Sequence, residues 1–283
     1  MQLISHERIL DLSVPRVMGI LNVTPDSFSD GGKYNQLPNA IEYTADMINA
    51  GALIIDVGGE STRPGSHAVS EEEEIERVVP VVGALAQRFD IFISVDTSKA
   101  LVMQESILAG AHLINDVRSL SEPGALEVIA AAQLPICLMH MQGNPRTMQQ
   151  APYYKNVQAE VEEFFIKKIA CCEEAGIKKD QLLLDPGFGF GKTLSHNYQL
   201  LAQLSRFHYL GLPIMVGMSR KSMVCQLANC AIENRVSGSI ACAVIAALQG
   251  AKIIRVHDVK QTVEALHVVK TTIAMKEGKS LYE

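Results

Sequence analysis

Eight short apolar runs recur along the chain, and each stops at a polar or charged residue. They are 17–21 ending at Asn22, 53–55 at Asp56, 91–95 at Asp96, 113–114 at Asn115 and Asp116, 135–139 at His140, 182–184 at Asp185, 214–218 at Ser219 and Arg220, and 253–254 at Arg255 and His257. Stretches of helical periodicity lie between most of them, at 39–50, 71–88, 100–109, 124–132, 157–175, 197–204, 222–227, 237–249 and 259–276. Buried parallel strands read as continuous Val/Ile/Leu runs rather than as alternation. The repeating order therefore predicts an α/β chain folded as a (β/α)8 TIM barrel, with residues 1–12 forming a short N-terminal hairpin over the barrel bottom. In that architecture chemistry sits where the strands end, so the polar stops mark the site as well as the fold.

At 283 residues, with no Pro/Gly/Ser-rich linker and no shift in composition, the chain reads as one domain spanning 1–283. A net charge of −6, from 31 acidic against 25 basic side chains, excludes a broad basic surface for nucleic acid or acidic lipid. The N-terminus carries no cationic start followed by an apolar stretch, and the longest apolar run, 240–248, is about half of the ~20 residues a membrane span needs. A cytoplasmic protein without a membrane partner is expected. Cysteines at 137, 171, 172, 225, 230 and 242 form no Cys-x-x-Cys pair and are read as reduced and structural rather than as a zinc site. Ser70 followed by Glu71, Glu72 and Glu73 reads as a capping box opening a helix, not as a metal cluster.

Three segments at strand ends, 22–32, 58–65 and 186–192, are rich in Gly, Ser, Asp and Pro and are read as active-site loops and candidate lids. The third, PGFGFGK, imitates a phosphate-binding loop. Pro186 stands where that motif needs its first Gly, and Lys192 stands where a dinucleotide fingerprint needs its third, so neither motif is present. Phe188 and Phe190 are instead expected to offer rings to a planar ligand.

In the last strand Arg255 and His257 are two apart and share a face. An inward Arg in a barrel needs an anionic or aromatic partner, which an internal salt bridge to Asp56 or Asp185 would supply. Because Arg63, Ser219, Arg220 and Lys221 fall on loops at the same rim, convergent binding of a phosphorylated anion is preferred. Opposite these lie Asp56, Asp96, Asn115, Asp116 and Asp185, a set suited to the N–H-rich edge of an aminopyrimidinone ring or to a divalent metal. Asp258 and His267 fall on the following helix and are assigned no role.

Taken in order, MGILNVTPDSFSD at 18–30, IDVGGESTRP at 55–64, ISVDT at 93–97, IND at 114–116, LMHMQG at 138–143, LDPGFGF at 184–190, VGMSRKS at 216–222 and RVH at 255–257 resemble the bacterial dihydropteroate synthases, a family of pterin-binding barrels. The resemblance implies transfer of a dihydropterin methylene from 6-hydroxymethyl-7,8-dihydropterin diphosphate to p-aminobenzoate, releasing diphosphate. It implies that Asp96, Asn115, Met139, Asp185, Gly217, Lys221 and Arg255 hold the pterin. Asn22, Arg63, Arg255 and His257 would hold the diphosphate, with Asn22 also binding Mg2+. Phe28, Thr62, Pro64, Phe190, Lys221 and Ser222 would surround p-aminobenzoate. Arg63, Lys221, Arg255 and His257 would carry catalysis, and part of the last two helices would form a homodimer interface. Two other readings are a methyltetrahydrofolate-dependent methyltransferase, which needs no diphosphate clamp, and a noncatalytic pterin-binding paralogue. Cys225, where the motif leads one to expect Gly, and the connection at 228–233 are departures placed behind the site.

Overall fold

The computed structural model describes residues 1–24, 36–61, 69–143, 147–228, 235–276 and 278, with backbone alone at 36, 227 and 228. Strands β1 (Gln2–Ser5) and β2 (Arg8–Asp11) form the antiparallel hairpin, with Leu3 opposite Leu10 and Ile4 opposite Ile9. The chain then alternates through β3 (Arg16–Asn22), α1 (Gln36–Asn49), β4 (Ile54–Gly58), α2 (Glu71–Arg88), β5 (Phe92–Asp96), α3 (Ala100–Ala109), β6 (Leu113–Asp116) and α4 (Ala125–Ala132). It continues with β7 (Ile136–Met139), α5 (Val157–Glu174), β8 (Leu182–Asp185), α6 (Leu194–Ala202), β9 (Met215–Val216), α7 (Ser222–Ala228), α8 (Val236–Leu248), β10 (Ile253–Val256) and α9 (Val259–Lys276). The eight parallel strands run in the order β8-β7-β6-β5-β4-β3-β10-β9, and a parallel bridge between Leu184 and Ile214 joins the ends. This is the expected TIM barrel.

Because residues two apart on a strand share a face, the barrel interior stacks in layers. One residue from each strand builds the lowest: Met18, Ile54, Phe92, Leu113, Cys137, Leu183, Met215 and Ile253 are buried in one cluster with Leu3, Leu10 and Leu12. The hairpin therefore plugs the N-terminal end, as its apolar face required. Two residues further along the same strands the interior holds Ile20, Asp56, Ser94, Asn115, Met139, Asp185, Gly217 and Arg255. Its character changes from aliphatic to polar in one step. A second, larger apolar layer fills the space between strands and helices, where Val78, Val82 and Leu85 of α2 meet Ile55, Val57 and Ile93.

Local chemistry sets the helix starts. The Ser70 hydroxyl accepts from the Glu73 N–H at 3.2 Å, and the Glu side chains of the first turn face the positive end of the α2 dipole. The Glu73 carboxylate turns to Arg77, so the reciprocal half of the expected capping box is not made. α1 begins at Gln36, before the expected residue 39, because Pro38 is tolerated in a first turn. α6 begins at Leu194, ahead of 197, because Thr193 caps it: its hydroxyl accepts from the His196 N–H at 3.2 Å, and His196 Nδ1 accepts from the Thr193 N–H at 3.3 Å. The end of that periodic stretch forms a separate 3-10 segment, Leu204–Leu210. Cys137, Cys172 and Cys242 are buried free thiols. No described helix is long and apolar enough to cross a membrane.

Candidate active site

The deepest polar layer is organised by Arg255. From β10 its Nε donates to Asp56 Oδ2 at 2.6 Å and its Nη2 to Asp96 Oδ2 at 2.8 Å, reaching the ends of β4 and β5. Asp56 Oδ2 also accepts from Asn115 Nδ2 at 3.2 Å, while the buried Asp56 Oδ1 has no hydrogen-bond partner among the described residues. The internal salt bridge weighed from sequence is thus formed, with Asp96 as its second carboxylate in place of Asp185. Burial opposes the guanidinium charge, but Asp56 and Asp96 outweigh it and raise the Arg255 pKa. Asp96 is pushed up to about 7 by burial and by the carboxylates of Asp56, Glu74 and Asp116, against the pull of Arg255. Asp56 and Asp96 thus share the one guanidinium.

Lys221 stands on the segment after β9, the strand that pairs with β10. Its Nζ donates to the Phe188 carbonyl at 2.5 Å and lies 4.4 Å from the centre of the Phe190 ring. Burial brings its pKa down to about 8, with Asp185 opposing that shift and Arg255 adding to it. Asp185, buried at the end of β8, accepts the Gly187 N–H at 2.7 Å. Burial raises its pKa, and Lys221 restrains the rise. Met139, Phe190, Val117 and Met148 form a small apolar cluster beside these groups. A flat ring there would meet carboxylates and an amide on one wall, an ammonium on the other, and sulfur and aromatic surface between.

His257 is aimed by Ser219, whose Oγ accepts the His257 backbone N–H at 3.1 Å and lies 3.0 Å from Nδ1. Arg220 commits its guanidinium to a carboxylate just before α9. It pairs with Asp258 at 2.5 and 3.0 Å, which corrects two expectations: Arg220 is not part of the cationic rim, and Asp258 holds the 219–221 segment in place. Arg220 has φ +58°, a left-handed backbone that this pairing, together with the Arg220 N–H bond to Ser239 Oγ at 2.9 Å, keeps in position. Asn22 ends β3 beside Gly58, and a Cβ at Gly58 would lie 3.8 Å from Asn22 Oδ1 and 3.9 Å from Asp96 Oδ2. The glycine leaves a gap between two oxygen donors. Among the described residues no group of three His, Cys, Asp or Glu could hold a metal. With Asn22 and Asp96 as its oxygen donors, the gap would suit a hard cation held mainly by water and phosphate oxygens.

Asn22, Asp96, Asn115, Met139, Asp185, Phe190, Gly217, Lys221, Arg255 and His257 all come to the C-terminal mouth of the barrel or just below it, and Ser222 is exposed at the start of α7. Phe28, Thr62, Arg63 and Pro64 lie outside the described residues, as do most of the first two loops. Asp116 is a structural acceptor: it takes hydrogen bonds from Ser98 Oγ and from the N–H groups of Arg118 and Leu120. Phe188 is 0% exposed within the core between barrel and helices, so only Phe190 of the pair can offer a ring. Nor is the 186–192 loop a lid; all its residues but Gly189 are buried. Pattern reading placed Ser219 at the rim but gave no role to His140 or Lys192, and it missed Lys99, which pairs with Glu60 at 2.8 Å and with buried Glu74. A lysine immediately after a Gly-rich strand-end loop was the available signal for Lys192.

A sequence profile described as "Pterin binding enzyme" matches residues 18–257. The chain is 66% identical to the dihydropteroate synthase of Escherichia coli (strain K12), over 99% of both chains. Its fold superposes with a TM-score of 0.93 on the Yersinia pestis dihydropteroate synthase solved with a sulfonamide drug complex, at 63% identity over 97% of this chain and 100% of that one. The Xanthomonas albilineans dihydropteroate synthase in complex with 7,8-dihydropteroate gives a TM-score of 0.89 at 45% identity, covering 97% and 99% of the two chains. With its barrel, its layered polar mouth and these relatives in agreement, the chain belongs to the pterin-binding enzymes and, among them, to the dihydropteroate synthases.

Proposed function

We propose that the barrel mouth joins 6-hydroxymethyl-7,8-dihydropterin diphosphate to p-aminobenzoate, and that the described side chains divide the work between its two walls. Asp96, Asn115 and Asp185 supply acceptors and an amide for the N–H-rich ring edge, Met139 packs on the ring, and Gly217 leaves it space. Arg255 lies over it, with Lys221 at its carbonyl side. The arylamine is unprotonated at neutral pH and needs no strong base. Its lone pair forms the new C–N bond at the methylene carbon as the C–O bond breaks, the electron pair leaves on diphosphate, and the amine proton passes to the released phosphate or to solvent. Arg255 and His257 neutralise the leaving group, and a prearranged donor of this kind is worth about 3 kcal/mol. Asn22 would hold Mg2+ at the Gly58 gap, where its charge would add to that neutralisation. Phe190, Lys221 and Ser222 face p-aminobenzoate, joined by Phe28, Thr62, Arg63 and Pro64 from the first two loops.

The observation that carries this reading is the gathering of Asp96, Asn115 and Asp185 with Lys221 and Arg255 around one mouth. A methyltransferase using a folate would share the acceptors but not the phosphate-binding cations. Formation of 7,8-dihydropteroate from the two substrates, with and without Mg2+, tests it, and absence of product under both conditions overturns it. Exposed Ile245 and Leu248 on α8 and Val268 on α9 support the homodimer, which sedimentation would reveal as twice the chain mass.

A further inference from the structure

Lys192 is the least expected residue of the molecule. It is 3% exposed, with no carboxylate within ion-pair distance among the described residues. Its Nζ instead sits among the carbonyls of Gly187 at 3.0 Å, Phe190 at 3.0 Å and His140 at 3.2 Å, with His140 Nδ1 at 2.9 Å. Three of those four acceptors cannot be protonated, and burial together with the Lys192 charge pushes His140 down to about 2, which leaves Nδ1 an acceptor as well. The backbone polarity is the inverse of a phosphate loop, which turns N–H groups inward to an anion. Here carbonyls turn inward to an amino group supplied by the loop itself, whose pKa burial lowers well below the usual lysine range while these acceptors favour its charged form.

The same loop is pressed against the segment after β7. Gly187, Gly189 and Gly191 have φ of +70°, +80° and +61°. A Cβ at Gly187 would lie 1.9 Å from the His140 carbonyl oxygen, and one at Gly191 would lie 2.4 Å from that of Gln142. Asn197 Oδ1 accepts the Gly189 N–H at 2.7 Å, and Tyr154 donates to the Gly191 carbonyl at 2.8 Å. On its cavity side the loop presents the Phe190 ring and the Phe188 carbonyl, the two features that hold Lys221.

We propose that Lys192 is a positioning residue for the second substrate: its ammonium fastens the 187–191 loop to His140, and through that loop fixes Phe190 and Lys221 where p-aminobenzoate binds. This rests on the assignment of Phe190 and Lys221 to p-aminobenzoate given above. Lys192 touches no substrate. The pterin acceptors Asp96 and Asn115 lie on β5 and β6, outside the fastened loop, while Lys221 and the Gly187 contact to Asp185 touch both sites, so loss of the tether weakens both substrates but falls more heavily on p-aminobenzoate.

Lys192→Met keeps the side-chain length and removes the donors. A lost hydrogen bond from this donor predicts a rise of about tenfold or more in KM for p-aminobenzoate, and a clearly smaller rise for the dihydropterin diphosphate, which keeps its contacts on β5 and β6. Amide hydrogen exchange across 186–192 should quicken in the same variant, a readout that does not depend on turnover. His140→Gln, which leaves the three carbonyl acceptors in place, should shift both readouts in the same direction by less, and it serves as the test if Lys192→Met does not fold. Unchanged KM for p-aminobenzoate in a folded variant, or an equal rise for both substrates accompanied by a lower Tm, overturns the proposal. Phe190→Ala separates the two layers of argument. If it leaves the p-aminobenzoate KM at the wild-type value, the substrate assignment fails, whereas unquickened exchange in Lys192→Met removes the tether itself.

Discussion

Arg255 on β10 and Asp56 on β4 meet inside the barrel at 2.6 Å, although 199 positions separate them in sequence. The guanidinium is already compensated before any substrate arrives, so its charge is held in place rather than recruited. Arg255→Ala removes both the cation and the partner of two buried carboxylates. Leaving a buried charge uncompensated costs roughly 3–5 kcal/mol, and proton uptake by Asp96 relieves part of it. Loss of at least about a hundredfold in kcat/KM, with a lowered Tm, is expected. Steady-state kinetics and a thermal melt check it, and wild-type rates would refute the role given to Arg255.

The pH dependence follows from two groups facing one cavity. Asp96 ionises as pH rises through about 7, and Lys221 loses its proton as pH rises through about 8. If both must be charged, kcat/KM for the dihydropterin diphosphate rises through the first value and falls through the second, giving a narrow bell. Their linkage to stability runs separately. The folded state binds more protons at Asp96 between its ordinary 3.8 and about 7, so that contribution falls with rising pH there. The unfolded state binds more at Lys221 between about 8 and 10.5, so that contribution rises there. A flat kcat/KM profile from pH 6 to 9 would contradict the assignment.

Gly187→Ala tests the loop from the backbone side. Its φ of +70° and the 1.9 Å approach to the His140 carbonyl leave no place for a methyl group. The loop must move away from β7, taking with it the N–H that Asp185 accepts. Destabilisation of about 2 kcal/mol or more and weaker binding of both substrates are expected, measured by denaturant unfolding and titration calorimetry. Gly217→Ala is the contrasting case, since its Cβ would meet Arg255 atoms at an ordinary 3.8 Å and the fold should keep its stability.

Removal of Mg2+ by a chelator should slow turnover, and Asn22→Ala should raise the Mg2+ concentration needed for half-maximal rate severalfold, as expected for an ion with few protein ligands. An unchanged Mg2+ requirement in Asn22→Ala would remove Asn22 from the ion's surroundings.

The inward acids and amide were legible because a barrel strand that stops being apolar must do so at its mouth: Asp56, Asp96, Asn115 and Asp185 could be placed there from the ends of their runs alone. Which acid meets Arg255 was not legible. That depends on strand stagger, with Arg255 beside Met18 on β3 and Asp56 beside Ile20, a relation spanning three strands. The depth of Phe188 was hidden for a similar reason, since a Gly-x-Gly backbone can turn a ring to either side. Lys192 was hidden by polarity: a Gly-rich loop ending in Lys looks the same whether its N–H groups or its carbonyls turn inward, and only the folded positions of the Gly187, Phe190 and His140 carbonyls around Nζ decide between them.

Between β8 and β9 the Leu184–Ile214 bridge is the one register position among the described residues, whereas every other neighbouring pair of the barrel shares at least two. Asp185 stands on one lip of that seam, and the segment leading from β9 to Lys221 starts on the other. A heterocycle gripped by both would act as a rivet across the weakest joint of the cylinder. Occupancy should then slow amide exchange at 182–185 and 213–218 more than anywhere else in the wall, making substrate a structural member of the barrel while it is bound.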